Sequence, residues 1–308
     1  MDSQTPLFQF SQRALQLTSS AIREILKVTT RPEVISFAGG LPSPGGFPVA
    51  QLQQAFDQVL TIRGRSALQY GPTEGYQPLR EWVAEYVSRP GSEVSAEEVL
   101  IVSGSQQALD MLGKLFIDPG SKVLVESPTY LGALQSFSQF EPQYVAVQTD
   151  EHGLIPAEVS QPKAQGARFI YVLPNFHNPT GLTLDLQRRQ DLVERCAQAN
   201  IPIIEDDPYG ELRYAGEAQP SLLTLGRQVG AQVVHLGSFS KVLAPGLRLG
   251  YIVGPREVIN KLVQIKQATD LHSNTLTHMA VYEAIKEGFL TEHLPSVRDL
   301  YQQQCQYM

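Results

Sequence analysis

Apolar residues in this chain change their spacing near residue 99. Before that point Leu52, Ala55, Phe56, Val59 and Leu60 recur at i, i+3, i+4, i+7 and i+8, and Leu79, Trp82, Val83, Tyr86 and Val87 repeat the pattern. This period turns one face of a helix toward a core, so two amphipathic helices are predicted on either side of the loop QYGPTEGYQ. Upstream, the first residues suit an extended arm or a short helix. In AIREILKVTT the residues Ile22, Ile25 and Leu26 form an apolar stripe, with Arg23 and Glu24 facing elsewhere. The segment SFAGGLPSPGGFP places four glycines and three prolines between positions 39 and 48, which favours tight turns over regular structure.

Beyond residue 99 the pattern becomes short β-branched runs separated by helical stretches: VLIV at 99–102, KVLVE at 122–126, YVAV at 144–147, RFIYVL at 168–173, PIIE at 202–205, VVHL at 233–236 and YIVG at 251–254. Apolar runs without polar alternation predict strands buried on both faces. Their alternation with helices predicts an α/β fold with a mostly parallel sheet sandwiched by helices. The terminal YQQQCQYM reads as the start of a helix.

Composition narrows the function. The 308 residues are 42% hydrophobic and 18% charged, which suits a substantial core and excludes a disordered chain. Lys plus Arg number 24 against 31 Asp plus Glu, a net charge of −7, and no basic cluster interleaved with aromatics offsets it, so no nucleic-acid partner is expected. The two cysteines, Cys196 and Cys305, are too far apart for a C-x-x-C site and fit a reducing, cytoplasmic setting. Cys196 shares a helical face with Leu192 and Val193 and reads as core. No run of about 18 apolar residues and no secretory signal pattern occurs, so no membrane association is expected.

Ligands of parallel sheets bind beyond the carboxyl ends of the strands, and four such junctions carry polar residues. After VLIV, the turn SGSQQ opens a helix whose free N–H groups suit a phosphate, with Ser105 and Gln106 in the first turn; taken alone, an ordinary Ser cap is the simpler account. After FIYVLP, Asn175 and Asn178 in NFHNPTG bring amides to the sheet edge, or serve only turn chemistry. After PIIE, Asp206 and Asp207 put two carboxylates where a cation is needed, and a protonated ring nitrogen meets that need. His177 and His235 show no ligand spacing, so no metal is expected. Between VVHLG and YIVG lie Ser238, Ser240, Lys241 and Arg248. Lys241 is one of eight lysines and sits among apolar and small residues, where desolvation lowers an amine's pKa and makes it a nucleophile toward an aldehyde.

Taken together, GSQQALD, PNFHNPTG, EDDPYG and SFSKVLAPGLRLGYIVGP, with FAGGLP and LQYGPTEGYQPLR upstream, resemble the fold-type I pyridoxal-phosphate enzymes of the class I/II aminotransferases. Within that family the chain looks closest to the 2-aminoadipate and kynurenine-type group. The resemblance implies pyridoxal 5'-phosphate as cofactor and a ping-pong transfer of the amino group of an L-amino acid, 2-aminoadipate or a similar donor over a broad range, to a 2-oxo acid such as 2-oxoglutarate. It makes Lys241 the Schiff-base lysine and proton carrier, Asp206 the partner of the pyridinium nitrogen, and Tyr209 and Asn178 partners of the phenolic oxygen. Tyr130 would stack on the ring, and Ser105, Gln106, Ser238 and Arg248 would hold the phosphate.

The resemblance further implies a homodimer in which Tyr70 reaches the neighbouring subunit's phosphate. Gly39, Gly40 and Asn178 would line the substrate pocket, with Arg23 either binding a distal carboxylate or simply solvated. His272 could line the same pocket or be structural. On this reading residues 1–50 form an arm and pocket loop, 51–290 a large cofactor-binding domain, and 291–308 the start of a smaller domain. Family members continue into that domain, which carries the Arg for the substrate α-carboxylate. No residue here matches it, so a truncated chain that binds cofactor but turns over poorly is expected. A non-catalytic cofactor-binding module and another pyridoxal-phosphate reaction, elimination or decarboxylation, are the alternatives.

Overall fold

The computed structural model describes residues 8–17, 33–34, 40–89 and 91–308. Arg23, Gly39 and the stripe of AIREILKVTT lie outside the described residues. Ser11 accepts the Ala14 N–H and starts a short helix, α1 (Gln12–Gln16). The two helices predicted around QYGPTEGYQ are α2 (Val49–Ala67) and α3 (Gln77–Val87).

The α/β region follows as β1 (Val99–Val102), α4 (Ser105–Phe116), β2 (Lys122–Glu126), α5 (Leu131–Ser138), β3 (Gln143–Val147), the short strands β4 (Thr149–Asp150) and β5 (Gly153–Leu154), and β6 (Phe169–Val172). It continues through α6 (Leu186–Ala199), β7 (Ile203–Asp206), α7 (Leu222–Val229), β8 (Val233–Ser238) and β9 (Gly250–Val253). Helices α8 (Arg256–Thr269), α9 (Thr275–Ile285) and α10 (Phe289–Tyr307) close the chain.

Seven strands form one sheet in the order β1-β9-β8-β7-β6-β2-β3, and β4 and β5 pair separately. The register is parallel throughout except at β9, which runs antiparallel to both β1 and β8. A parallel return needs a crossover of a dozen or more residues, usually a helix. The β8–β9 connection holds only a short 3-10 turn, Pro245–Leu247, so β9 folds straight back.

Adjacent residues of each central strand face opposite cores, which is why the runs lack polar alternation. Ile203 packs with Leu79, Val83, Leu192 and Val193 on one side, and Ile204 packs with Leu109, Leu112, Phe137 and Phe169 on the other. Fully burying an aliphatic or Phe side chain is worth about 1.5–3 kcal/mol, and two such layers hold the strand ends in fixed positions. Cys196 is buried in the first layer, and burial pushes its thiol up to about 12.

Helix α9 packs on α2, where the Gln51 amide donates to the Ala284 carbonyl at 3.1 Å. Helix α10 runs unbroken through residue 290, and Arg298 Nε ties it to the Glu211 carbonyl at 2.6 Å. No helix among the described residues is long and apolar enough to cross a membrane.

Candidate active site

The three carboxylates at the end of β7 have different fates because the strand pleat alternates their directions. Glu205 is fully buried and accepts the Leu222 and Leu223 N–H groups at 2.7 and 3.0 Å, together with a 2.9 Å contact to His235 Nδ1. Burial alone would raise its pKa, but the His235 charge and these hydrogen bonds reverse that and hold it below the ordinary glutamate value. It is the anchor of the α7 N-terminus.

Asp206 points to the other face. Its Oδ2 accepts from the Tyr171 hydroxyl at 2.6 Å, while Oδ1 is buried and has no hydrogen-bond partner among the described residues. Burial lifts its pKa to about 6, a rise tempered by the Tyr171 hydrogen bond. An orphaned buried carboxylate oxygen is costly unless a donor or cation meets it. Asp207, by contrast, is spent on structure: it accepts from Asn175 Nδ2 at 2.8 Å and from the Gly210 N–H at 2.9 Å. The two aspartates expected together at this junction are therefore divided between a free oxygen and a closed turn.

Lys241 lies between β8 and β9, half-buried, with Nζ 5.6 Å from the Tyr209 ring centroid. Burial lowers its pKa, which favours the neutral amine. The Asn178 amide lies beside the Tyr209 phenol, whose pKa burial raises and Asn178 lowers in part. Tyr130 caps α5 and lies across Gly132, where a Cβ would fall 2.5 Å from the ring. Its own pKa is raised by burial and then by the Asp206 charge. Lys241, Asp206, Tyr209, Asn178 and Tyr130 thus converge on one space at the sheet edge.

Beside them, the β1–α4 turn forms a cup. The cap residue is Gly104 rather than Ser105, with φ 83° and ψ 166°, a conformation open essentially to glycine alone. A Cβ there would sit 2.7 Å from Arg248 Nη2, so the guanidinium lies directly over the turn and donates to the Ser103 carbonyl at 3.3 Å. Gly250 is as close from the other side: its Cβ would meet the Gly104 Cα at 3.2 Å. The first N–H groups of α4, the Ser105 hydroxyl and Arg248 suit a dianionic phosphate. The Ser238 hydroxyl accepts the Ser240 N–H at 3.1 Å and fixes the loop leading to Lys241.

Gln106 differs from expectation, because its amide donates to Ser136 Oγ at 2.6 Å and to the Gly132 carbonyl at 3.3 Å on α5. Tyr70 stands apart, 78% exposed, edge-on to the His272 ring at 5.6 Å. His272 Nε2 accepts the Gly71 N–H, which gives that histidine a part in holding the Tyr70 loop. Gly40 is exposed with φ +53°, and among the described residues nothing lies within 4 Å of where its Cβ would be.

Three buried residues escaped the sequence reading. Tyr171 bonds Asp206. Lys266, wholly buried, donates to Gln107, Asp270 and Ser273 at 2.8–3.0 Å and so braces the turn before α4. Arg189 donates to the Leu184, Pro174 and Pro220 carbonyls and to Asn175 Oδ1 at 2.7–3.0 Å, which fixes the loop carrying Asn178. The available signal for Lys266 was a charge on the same helix stripe as Ile259, Leu262 and Val263.

A buried acid with one open oxygen, a desolvated lysine, a tyrosine platform and a phosphate cup define a fold-type I enzyme of the pyridoxal-phosphate class. Residues 33–308 match the family model of the class I and II aminotransferases, and the chain belongs to that family. It is 46% identical over 302 residues to a 2-aminoadipate transaminase of Thermus thermophilus, covering 97% of this chain and 74% of that relative. It is 40% identical to aromatic-amino-acid aminotransferase 1 of Thermococcus litoralis, over 95% of this chain and 71% of that one. The fold superposes on the alpha-aminoadipate aminotransferase LysN of Thermus thermophilus, solved with N-(5'-phosphopyridoxyl)-L-leucine, with a TM-score of 0.89 and 43% identity, covering 96% of this chain and 74% of that one.

Proposed function

We propose that this pyridoxal-phosphate-dependent aminotransferase works through Lys241 and Asp206, taking 2-aminoadipate or similar L-amino acids as donors and a 2-oxo acid such as 2-oxoglutarate as acceptor. The observation that carries the site assignment is the buried, unpartnered Asp206 Oδ1 in the same space as the desolvated Lys241. Bound pyridoxal phosphate supplies an aldehyde carbon for amine attachment and a protonated ring that delocalises the electron pair left at the substrate Cα.

The residues then divide the work. Lys241 would hold the cofactor's aldehyde carbon between turnovers and, once freed by a substrate amine, its Nζ would be the base placed to take and return the Cα proton. Asp206 keeps the ring nitrogen charged through Oδ1. Tyr209 and Asn178 would hydrogen-bond the phenolic oxygen, and Tyr130 would stack on the ring and exclude water. The Gly104–Gln106 amides, Ser105, Ser238 and Arg248 bind the phosphate, with Gln106 acting through its main chain.

The substrate range rests on the relatives named above and on Arg23, Gly39, Gly40 and Asn178 as pocket residues. The exposed Tyr70 supports a homodimer in which it completes the neighbour's phosphate site, and the two unpaired cysteines support a cytoplasmic setting. Residues 51–290 would form the cofactor-binding domain. Borohydride reduction of the cofactor-loaded protein followed by peptide mapping tests the assignment. Label at Lys241 is expected, and label at another lysine overturns it.

A further inference from the structure

We propose that Tyr171 is a positioning residue that keeps the proton shared between Asp206 and the cofactor's ring nitrogen on the nitrogen. The inference rests on the reading of Asp206 as that nitrogen's partner. Tyr171 is central in β6, where its register partner is Ile204 of the neighbouring strand, and it is completely buried. A phenol in a strand otherwise made of Phe169, Ile170 and Val172 has no solvent to bond to, and it spends its hydroxyl on Asp206 Oδ2 at 2.6 Å. That leaves Oδ1 without a partner among the described residues.

The consequence is electrostatic. A carboxylate facing a pyridine nitrogen can hold the shared proton itself, giving a neutral pair, or leave it on the ring, giving an ion pair. Only the second keeps the ring an effective acceptor of electrons. Donation from Tyr171 stabilises the ionised carboxylate and makes it the weaker base. Tyr171 cannot ionise in exchange, since burial and then the Asp206 charge drive its pKa far up. Other groups face the pair: Asp207 raises and His235 lowers the proton affinity of Asp206, while Tyr130 and Glu126 stand on the Tyr171 side. All remain in place when the single hydroxyl is removed, so they cancel in the comparison below. The Phe137 ring packs edge-on to Tyr171 at 5.8 Å, and Phe at 171 fills the same space.

The test is nitrogen NMR of the holoenzyme reconstituted with ring-15N pyridoxal phosphate, followed against pH in wild type, Tyr171→Phe and Asp206→Asn. Losing a charge-assisted hydrogen bond corresponds to about a 10- to 100-fold change in the ratio of the two proton positions. On the near-neutral plateau the averaged ring 15N resonance of Tyr171→Phe should move toward the unprotonated value, and an unchanged plateau overturns the proposal. Asp206→Asn should lose ring protonation near neutrality altogether. If it does not, the pairing of Asp206 with the nitrogen fails, which is a separate result. Should Tyr171→Phe not fold, ring-fluorinated tyrosine at 171 keeps the hydroxyl and makes it a stronger donor. Its plateau resonance should then stay at or move toward the fully protonated value, and a move toward the unprotonated value overturns the proposal.

Discussion

Replacing Gly104 by alanine isolates the phosphate cup. The perturbation has two parts. The backbone at φ 83° and ψ 166° is strained for any L side chain, at about 1–3 kcal/mol. The new methyl would also lie 2.7 Å from Arg248 Nη2 and 3.2 Å from its Cζ, inside contact distance, so the exposed guanidinium must swing off the turn. Losing one charge-assisted contact to a phosphate costs about 1.5–3 kcal/mol, or about 10- to 100-fold in affinity. Titrating apo-protein with pyridoxal phosphate and, separately, with phosphate-free pyridoxal reads the second part. Melting the apo-protein reads the first and should show a loss of several degrees. The reasoning is refuted if Gly104→Ala binds pyridoxal phosphate as tightly as wild type. It is equally refuted if pyridoxal is weakened by the same factor.

Three other outcomes follow from the geometry. His235→Asn should cost about 3–5 kcal/mol by stranding the buried Glu205 charge. Burial alone would lower the His235 pKa, but Glu205 raises it above the ordinary value, while that of Glu205 is depressed. The pair's contribution should therefore be fullest between about pH 4.5 and 6.5, decay on the alkaline side as His235 deprotonates, and decay on the acid side as Glu205 protonates. Denaturant melts of both proteins across pH would show it, and a pH-independent difference would contradict it. Arg189→Met should lose several kcal/mol in the same melts, because three carbonyls and Asn175 lose their donor together; a loss under about 1 kcal/mol would mean these groups find other partners. Arg23→Ala should slow the single-turnover reaction of 2-aminoadipate about 10-fold or more relative to leucine. Equal slowing of both would remove Arg23 from the choice of donor.

Much of this molecule was legible from spacing alone. The strands β1, β2, β6, β7, β8 and β9 lie within a residue or two of their apolar runs, since strands buried on both faces admit almost nothing else. Lys241 was legible because a lysine among apolar neighbours needs a reason. The direction of β9 was not, because it depends on the length of a connection and not on the composition of the strand. Neither was the separation of Asp206 from Asp207, which the pleat and the tight turn at Gly210 decide. Tyr171, Arg189 and Lys266 escaped because each is polar, buried and satisfied at least in part by a partner outside its own element: Asp206, 35 residues away, for Tyr171, Pro220, 31 away, for Arg189, and Gln107, 159 away, for Lys266. Gln106 was placed at the right turn but its amide points to α5, an orientation that only the packing of two helices determines.

The end of β7 joins two tasks that are usually kept apart. Glu205 anchors a helix on one side of the sheet while its neighbour in the chain, bonded to Tyr171, faces the proposed cofactor site on the other. A slip of one residue would trade these assignments, presenting a long side chain to the ring and leaving α7 untethered. Insertions and deletions within this strand are thereby forbidden twice over, and adaptation of the enzyme to new substrates must proceed in the surrounding loops.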